Sequence, residues 1–460
     1  MKTISDLIKT DYNMDIFGIT DDSRDVRPGY IFVATKGFNV DHFDYIDEAI
    51  KAGAVFIVAD KKIERNFPHI IVDNIDDYYV DLCIKYYDIK LADFNFIGIT
   101  GTDGKTTTAS IVREIIDNCA YIGTNGLIMD DFSIETSNTT PCINEFYKYL
   151  RLIQDKGIKN VVMEVSSEAL LYKRVNNIKF TIISFTNITG DHLNVHKTFD
   201  NYVKCKLKLL DLIERNGCVV VNGDDVNLRN LKCKNKYTFG YDSYNDYVIA
   251  DDKISKKYVK ISVNNKNNSW IINSPFKGKY NIYNVVDAFI IGLCFGVNQN
   301  LLVERIEKLK PIRGRGEVLD FGQKYTIVLD YAHTVNGVIN ILDAYKDYNK
   351  IITVTGCAGG REIDKRRKIG KVVMEKSSIA IFTMDDPRYE NVDDIIDQMV
   401  GDSKNYIRIV NREKAIHYAL SIATEGSVVL ILGKGRDSYM AIGGEKVRYN
   451  DYDVVYNYFL

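Results

Sequence analysis

The segment 94–116, FNFIGITGTDGKTTTASIVREII, constrains the fold more than any other. An apolar strand runs straight into a glycine turn and then into a helix. Gly101 and Gly104 allow a tight turn and close backbone approach. Amides at the helix start can cradle phosphates, and Lys105 can reach the terminal ones. The Thr106 hydroxyl can bind Mg²⁺. The two glycines stand two residues closer than in the general GxxxxGK[ST] pattern. A chance glycine turn before a lysine is the plainer alternative, but the strand–loop–helix context points to nucleotide binding. The same grammar recurs along the chain. NVVMEV and FTIISFTNI are apolar runs followed by polar loops, and so, beyond Pro311, are YTIVLDYAH, KIITVTGCAGG, SIAIFTMDD and SVVLILGKG. Strands alternating with helices indicate a doubly wound, mostly parallel sheet, with ligands at the carboxyl ends of its strands. Before residue 92, GYIFVATKG and AVFIVAD flank a helix-like FDYIDEAIKAG. The expectation is an α/β protein of three domains. These are a small N-terminal α/β domain (1–92), a central phosphate-loop domain (93–309) and a C-terminal Rossmann-like α/β domain (310–460).

Composition removes several classes. The 460 residues are 46% hydrophobic and 27% charged, which suits a folded chain with ample core. A net charge of -2 gives no bulk attraction to nucleic acid or membrane surfaces. The start, MKTISDLIKTDYNMD, lacks the apolar core of a signal peptide. VVDAFIIGLCFGV is too short for a membrane span, carries Asp287, and reads as a buried helix. Eight cysteines without a CxxC pair indicate neither a zinc site nor a disulfide framework, so a reducing, cytoplasmic setting is expected. The basic run DKRRK could serve one anionic ligand or be solvated.

Residues 198–213, TFDNYVKCKLKLLDLI, read as one helix with Thr198 as N-cap and Asp200 in the first turn. Phe199, Val203, Leu210 and Ile213 recur at helical spacing and define a buried stripe. Lys206 falls near its middle, whereas Lys204 and Lys208 lie opposite. A lysine on a buried face costs several kcal/mol unless compensated. Snorkelling to the surface is the bland explanation.

TGTDGKTTT resembles the ATP loop of the Mur ligase family, the ADP-forming amide ligases of peptidoglycan and folate metabolism. The matches continue in order over the whole chain. They are DSRDVRPGYIFVATKG, SNTTP, MEVSSEALLYKRV, FTNITGDHLNVHKTFDNYVKCK, KYNIYN, LDYAHT, GCAGGREIDKR, DDPR and GKGRD. The set is most similar to the branch that adds an amino acid to UDP-N-acetylmuramoyl-L-alanyl-D-glutamate. That resemblance implies a two-step reaction. ATP phosphorylates the D-glutamate γ-carboxylate, and an amine then attacks the acyl phosphate.

It also implies roles. Lys105, Glu164, His192 and Lys206 match catalytic positions. Thr106 and Glu164 match one Mg²⁺ site; His192 and a Lys206 carbamylated by CO₂ match a second. Gly101, Thr102, Asp103, Gly104, Lys105, Thr106 and Thr107 match the phosphate cradle, and Asn187, Asn281, Arg315 and Asp330 the adenosine contacts. Ser23, Phe38, Asn39 and Val40 match uridine contacts. Thr139, Thr140, Ser166 and Arg174 match contacts to the muramoyl dipeptide. Arg361, Asp385, Asp386, Pro387, Arg388, Gly433 and Asp437 match the amino-acid pocket. The implied partners are these small molecules alone, bound by a monomer that enters no membrane.

Outside the amino-acid pocket, where Asp386 and Asp437 replace an asparagine and a glutamate of the diaminopimelate-adding enzymes, four positions depart from the family pattern. Glu168 stands where a histidine is usual, Gly190 where an arginine is, Asp103 where an asparagine is, and Tyr172 where a polar contact is. They motivate an alternative, a nucleotide- or muropeptide-binding relative with altered catalysis. A folylpolyglutamate-type ligase is a further alternative, which would need neither the DSR…PG segment nor SNTTP. For the added amino acid, Arg388 in DDPR favours meso-diaminopimelate, since a guanidinium pairs bidentately with a carboxylate. Asp386 favours lysine, or pairs with Arg388 and blunts it. Arg436 is a second carboxylate partner or is solvated. On balance meso-diaminopimelate is expected ahead of lysine.

Overall fold

The computed structural model describes residues 2–37, 40–130, 132–136, 138–190, 193–255, 258–361 and 363–460. Its framework is three sheets. A four-stranded, all-parallel sheet holds Gly18–Thr20, Tyr30–Val33, Ala54–Ala59 and His69–Ile71 in that order. The second sheet has eleven strands. Its parallel centre runs Cys119–Gly123, Asn160–Glu164, Asn95–Thr100, Phe180–Phe185, Ile213–Asn222, Lys236–Gly240 and Tyr247–Ile254. Antiparallel strands finish both edges. The third sheet is parallel apart from Glu317–Leu319, with Thr326–Asp330, Ser427–Leu432, Lys350–Thr355 and Ile379–Phe382 side by side.

Parallel strands covered by helices on both faces should be continuous apolar runs, as Ser427–Leu432 nearly is: all six of its residues are buried. The helix Lys105–Ile115 packs Ile111, Val112 and Ile115 against Val285 and Phe289 of the helix Lys279–Phe295. The latter is the VVDAFIIGLCFGV segment, buried and ended by Gly296 at φ +91. The N-terminal sheet does not stand apart, because Tyr79 and Cys83 of the helix Ile75–Tyr87 share one core with Phe146 and Leu150 of the helix Ile143–Asp155. Among the described residues, no helix is long and apolar enough to cross a membrane.

The reading of residues 198–213 needs correction. Thr198 caps the helix by accepting from Asn201 N–H, but α-helix covers only Phe199–Leu207. A 3₁₀ turn, Lys208–Leu212, follows, and Ile213 already begins a strand. The buried face is also rotated. Tyr202, Cys205, Lys206 and Leu209 are buried, whereas Phe199, Val203, Leu210 and Ile213 are half-buried. The aliphatic stripe missed this because the deepest residues include a tyrosine and a cysteine. Lys206 is buried either way, and Lys204 and Lys208 are exposed.

Candidate active site

Strand register builds the centre. Glu164 pairs with Ile99 and Phe185 with Thr100, so three adjacent strands end level. Their carboxyl ends set Glu164, the loop after Thr100, and Thr186–Asn187 side by side. Gly104 (φ +87) precedes the helix Lys105–Ile115, and a side chain there would strike Asn284 Oδ1. Asn187 braces the turn by accepting from Asp103 N–H at 2.9 Å and donating to the Asp103 carbonyl at 3.0 Å. Lys105 Nζ donates to the Gly101 and Thr102 carbonyls at 3.0 and 2.8 Å.

Glu164 is fully buried. Its carboxylate accepts from Thr106 Oγ1 at 3.0 Å, Thr124 N–H at 2.9 Å, Thr124 Oγ1 at 3.3 Å and the Tyr121 hydroxyl. All these donors are neutral, and the group is in no ion pair among the described residues. A buried carboxylate so placed suits a cation. Thr106 and Glu164 supply two oxygens, and Mg²⁺ is commonly held by one or two carboxylates together with substrate phosphates and water. Among the described residues no three His, Cys, Asp or Glu side chains form a self-sufficient metal cluster. Lys206, 2% exposed, donates to the Gly101 carbonyl at 2.7 Å and lies 4.7 Å from the Tyr202 ring centre. His192 lies outside the described residues, as do Phe38 and Asn39. His196 is buried with Nε2 3.0 Å from Ser167 Oγ; burial first, then the Lys206 cation, lowers its pKa.

The third sheet faces this centre. Arg315 donates to Thr106 Oγ1 at 2.9 Å and lies over the Tyr331 ring. Asp330 fixes the turn carrying Arg315 by accepting from Gly316 and Ala332 N–H at 2.6 and 2.7 Å. Burial pushes the Asp330 pKa up to about 6, against the pull of Arg315. Between the sheets lies a cleft of about 800 Å³. From the expected set its walls bring together Lys105, Thr106, Glu164, Lys206, Thr139, Ser166, Arg174, Arg315, Arg361, Asp385, Asp386, Arg388, Gly433 and Asp437. Arg174 is oriented by donating to the Thr140 carbonyl at 3.0 Å, and buried Thr140 itself donates to the Glu164 carbonyl at 2.8 Å.

Thr102, Asp103, Gly104 and Thr107 also line the cleft, and the remaining expected residues stand behind or away from its wall. Asn187 and Asp330 brace loops. Asn281 is buried, donating to the Lys277 carbonyl at 2.7 Å and accepting from Asn284 at 3.0 Å. Pro387 is buried. Ser23 and Val40 belong to the first sheet's loops and do not line the cleft. The open question over Asp386 and Arg436 resolves. Asp386 accepts from Lys434 Nζ at 2.8 Å, leaving Arg388 unblunted, and Arg436 is engaged with Glu317 through Nε at 2.8 Å. Neither Arg361 nor Arg388 is in an ion pair among the described residues. In DKRRK, Arg366 is buried and forked onto Glu390 at 2.6 and 2.9 Å, while Arg367 and Lys368 are exposed. The Arg366 guanidinium, opposed by partial burial, holds the Glu390 pKa down at about 2.

Sequence reasoning passed over Tyr121, Thr124 and Lys434. The first two flank the carboxyl end of Cys119–Gly123, the strand next to Glu164's own, so sheet order would have found them. Lys434 follows an apolar strand and a glycine, the same signal that marked Lys105.

Three family models match the chain: the Mur ligase middle domain over residues 99–292, the Mur ligase glutamate ligase domain over 314–435, and the Mur ligase family catalytic domain over 15–78. A UDP-N-acetylmuramoyl-L-alanyl-D-glutamate–2,6-diaminopimelate ligase of Bacillus licheniformis is 35% identical over 96% of this chain and 94% of its own. The protein of that name from Clostridium tetani is 33% identical over 99% and 98%. A solved structure of a ligase of that name superposes with a TM-score of 0.65 at 25% identity, over 96% of this chain and 94% of that one. A folylpolyglutamate synthase of Mycobacterium tuberculosis shares the fold, with a TM-score of 0.65 at 14% identity over 77% of this chain and 91% of that one.

Proposed function

The chain belongs to the Mur ligase family, and from that we propose that it joins 2,6-diaminopimelate, as the meso isomer, to the D-glutamate of UDP-N-acetylmuramoyl-L-alanyl-D-glutamate, in peptidoglycan precursor synthesis. The observation that carries the reading is the single cleft where the phosphate loop and Glu164 meet Arg361 and Arg388, two guanidiniums without a protein carboxylate partner among the described residues. A substrate with two carboxylates suits two such groups better than lysine does. The whole-chain likeness to named diaminopimelate ligases supports the same choice.

The D-glutamate γ-carboxylate attacks the γ-phosphorus of ATP; the new O–P bond forms as the bond to the β-phosphate oxygen breaks and ADP leaves. The neutral amine of the amino acid then attacks the acyl carbon, gives up a proton, and phosphate departs. Two anions approach in the first step, so cations must offset their repulsion. Lys105 and Arg315 would lie along the phosphates, and Arg174 beside the dipeptide carboxylate. Thr106 and Glu164 would hold Mg²⁺, which when bound supplies charge neutralisation at the γ-phosphate. Carbamylation of Lys206 would turn a buried cation into an anion beside that site, matching it to a second metal ion. Arg361 would take the α-carboxylate and Arg388 the distal one. Precursors carrying UDP and a need for ATP suit a setting in the cytoplasm.

The test is to incubate the protein with ATP, Mg²⁺, the UDP-muramoyl dipeptide and each of several amino acids, and to weigh the product by mass spectrometry. The expected product carries one diaminopimelate residue, with one ADP released per bond formed. A product with lysine alone would overturn the choice of amino acid. ATP binding without any product would favour the altered-catalysis alternative.

A further inference from the structure

Lys434 follows the strand Ser427–Leu432, between Gly433 (φ +111) and Gly435 (φ +54). It is 1% exposed and absent from the cleft wall, although Gly433, Asp386, Arg388 and Asp437 all line it. A buried ammonium is costly unless paired. Lys434 Nζ is paired twice, to Asp386 Oδ1 at 2.8 Å and to Asp437 Oδ2 at 3.4 Å. Burial alone would lower its pKa, but Asp385, Asp437 and Asp386 outweigh burial and raise it. Lys434 is therefore a fixed cation behind the wall, one layer from the amino-acid pocket.

The pairing reaches Arg388 by two routes. The first is electrostatic. Asp386 lies two residues before Arg388, and with Lys434 removed its carboxylate would capture that guanidinium. The second is geometric. Asp386 Oδ1 also accepts from Ala441 N–H at 3.0 Å, the Ala441 carbonyl accepts from Arg388 N–H at 2.9 Å, and Gly443 N–H donates to the Arg388 carbonyl at 2.6 Å. Arg388 has φ +53, a left-handed conformation that non-glycine residues hold only when their surroundings impose it. What imposes it is the hairpin of Tyr439–Ile442 and Glu445–Arg448, and Asp386 ties that hairpin to Lys434.

We infer that Lys434 is a positioning residue for substrate selection: by holding Asp386 it keeps the Arg388 guanidinium turned into the cleft and available to the distal carboxylate of a diamino diacid. The inference rests on the diaminopimelate reading above. It assigns no contact with substrate to Lys434 and gives the selectivity of the pocket a support outside it.

The experiment measures the ratio of kcat/KM for meso-diaminopimelate to that for lysine. Both are determined on one preparation, so that the fraction of folded enzyme cancels. In wild type a ratio above one supports the diaminopimelate reading itself, and a ratio below one sinks that reading first. Given the former, Lys434→Met should lower the ratio about tenfold or more, the scale of one charged specificity contact. Adding Asp386→Asn to that variant should restore most of it, because a neutral side chain no longer draws Arg388 away. In an Arg388→Ala background, Lys434→Met should move the ratio no further. A Lys434→Met ratio equal to wild type, or a loss that Asp386→Asn leaves in place, overturns the inference. Should Lys434→Met not fold, Asp386→Asn alone decides: a kept ratio, whatever the turnover, supports the inference, and a tenfold fall shows that Asp386 itself reads the substrate and overturns it.

Discussion

Thr334 donates its hydroxyl to the Asp103 carboxylate at 3.0 Å, tying the third sheet to the phosphate loop across 231 residues of sequence. The same oxygen accepts from Gly337 N–H at 2.9 Å and so caps the helix Val335–Ala344. Together with Arg315 on Thr106 and Ser438 on Glu135, it docks the C-terminal part over the nucleotide loop.

Thr334→Val removes both bonds of that hydroxyl at nearly constant shape. The expected cost is about 1–3 kcal/mol, a cap plus a bond to a charged acceptor. Thr334→Ser should recover most of it. Chemical denaturation checks the cost. Small-angle scattering checks docking: the valine variant should expand relative to wild type in the presence of an ATP analogue and the muramoyl dipeptide, pivoting near residues 310–317. Equal stability and equal compaction would show that the bond is incidental.

Lys206→Ala should abolish ligation, on the order of 100-fold or more, if its side chain serves the charge chemistry beside the phosphates. Lys206→Arg should fail as well, because a guanidinium cannot become a carbamate. Removing CO₂ should lower wild-type activity and bicarbonate should restore it. Circular dichroism should show both variants folded. Near-normal turnover in Lys206→Arg would rule the carbamate out.

Asp287 makes stability depend on pH. It is 1% exposed, and its carboxylate accepts bonds from Ser184 Oγ at 2.7 and 2.8 Å. Burial raises its pKa from 3.8 to about 7 in the folded chain, against the Ser184 bond. Below pH ~3 the group is protonated folded or unfolded, and no penalty exists. As pH rises toward 7 the unfolded chain ionises first, so stability falls, and above 7 the loss is complete at up to ~4 kcal/mol. Asp287→Asn lacks this ionisation. Its gain over wild type should be about 3 kcal/mol larger at pH 8 than at pH 4.5. Thermal melts at the two pH values check it; a gain independent of pH would contradict the assignment.

Much of this was legible in the sequence where the signal is local. The strand–turn–helix at Gly101–Lys105 and the apolar strands after it read directly, since parallel strands buried on both faces are continuous Val, Ile and Leu runs. Lys206 was legible as buried because helical period carries the information, although the face was drawn from aliphatics and missed Tyr202 and Cys205. What could not be read is non-local. Arg436 meets Glu317 from 119 residues away, and its side chain gives no hint of that partner. The pairing of Asp386 with Lys434, not Arg388, depends on how two strand ends meet in the third sheet. Those pairings decide which cations remain for substrate.

The most direct test of the ligase reading is ADP release by the purified protein with ATP, Mg²⁺ and the UDP-muramoyl dipeptide, with meso-diaminopimelate, lysine or neither. The account predicts release that requires the dipeptide, kcat/KM higher for diaminopimelate than for lysine, and loss of release in Glu164→Ala. Release indifferent to the dipeptide, or undiminished in Glu164→Ala, would contradict it.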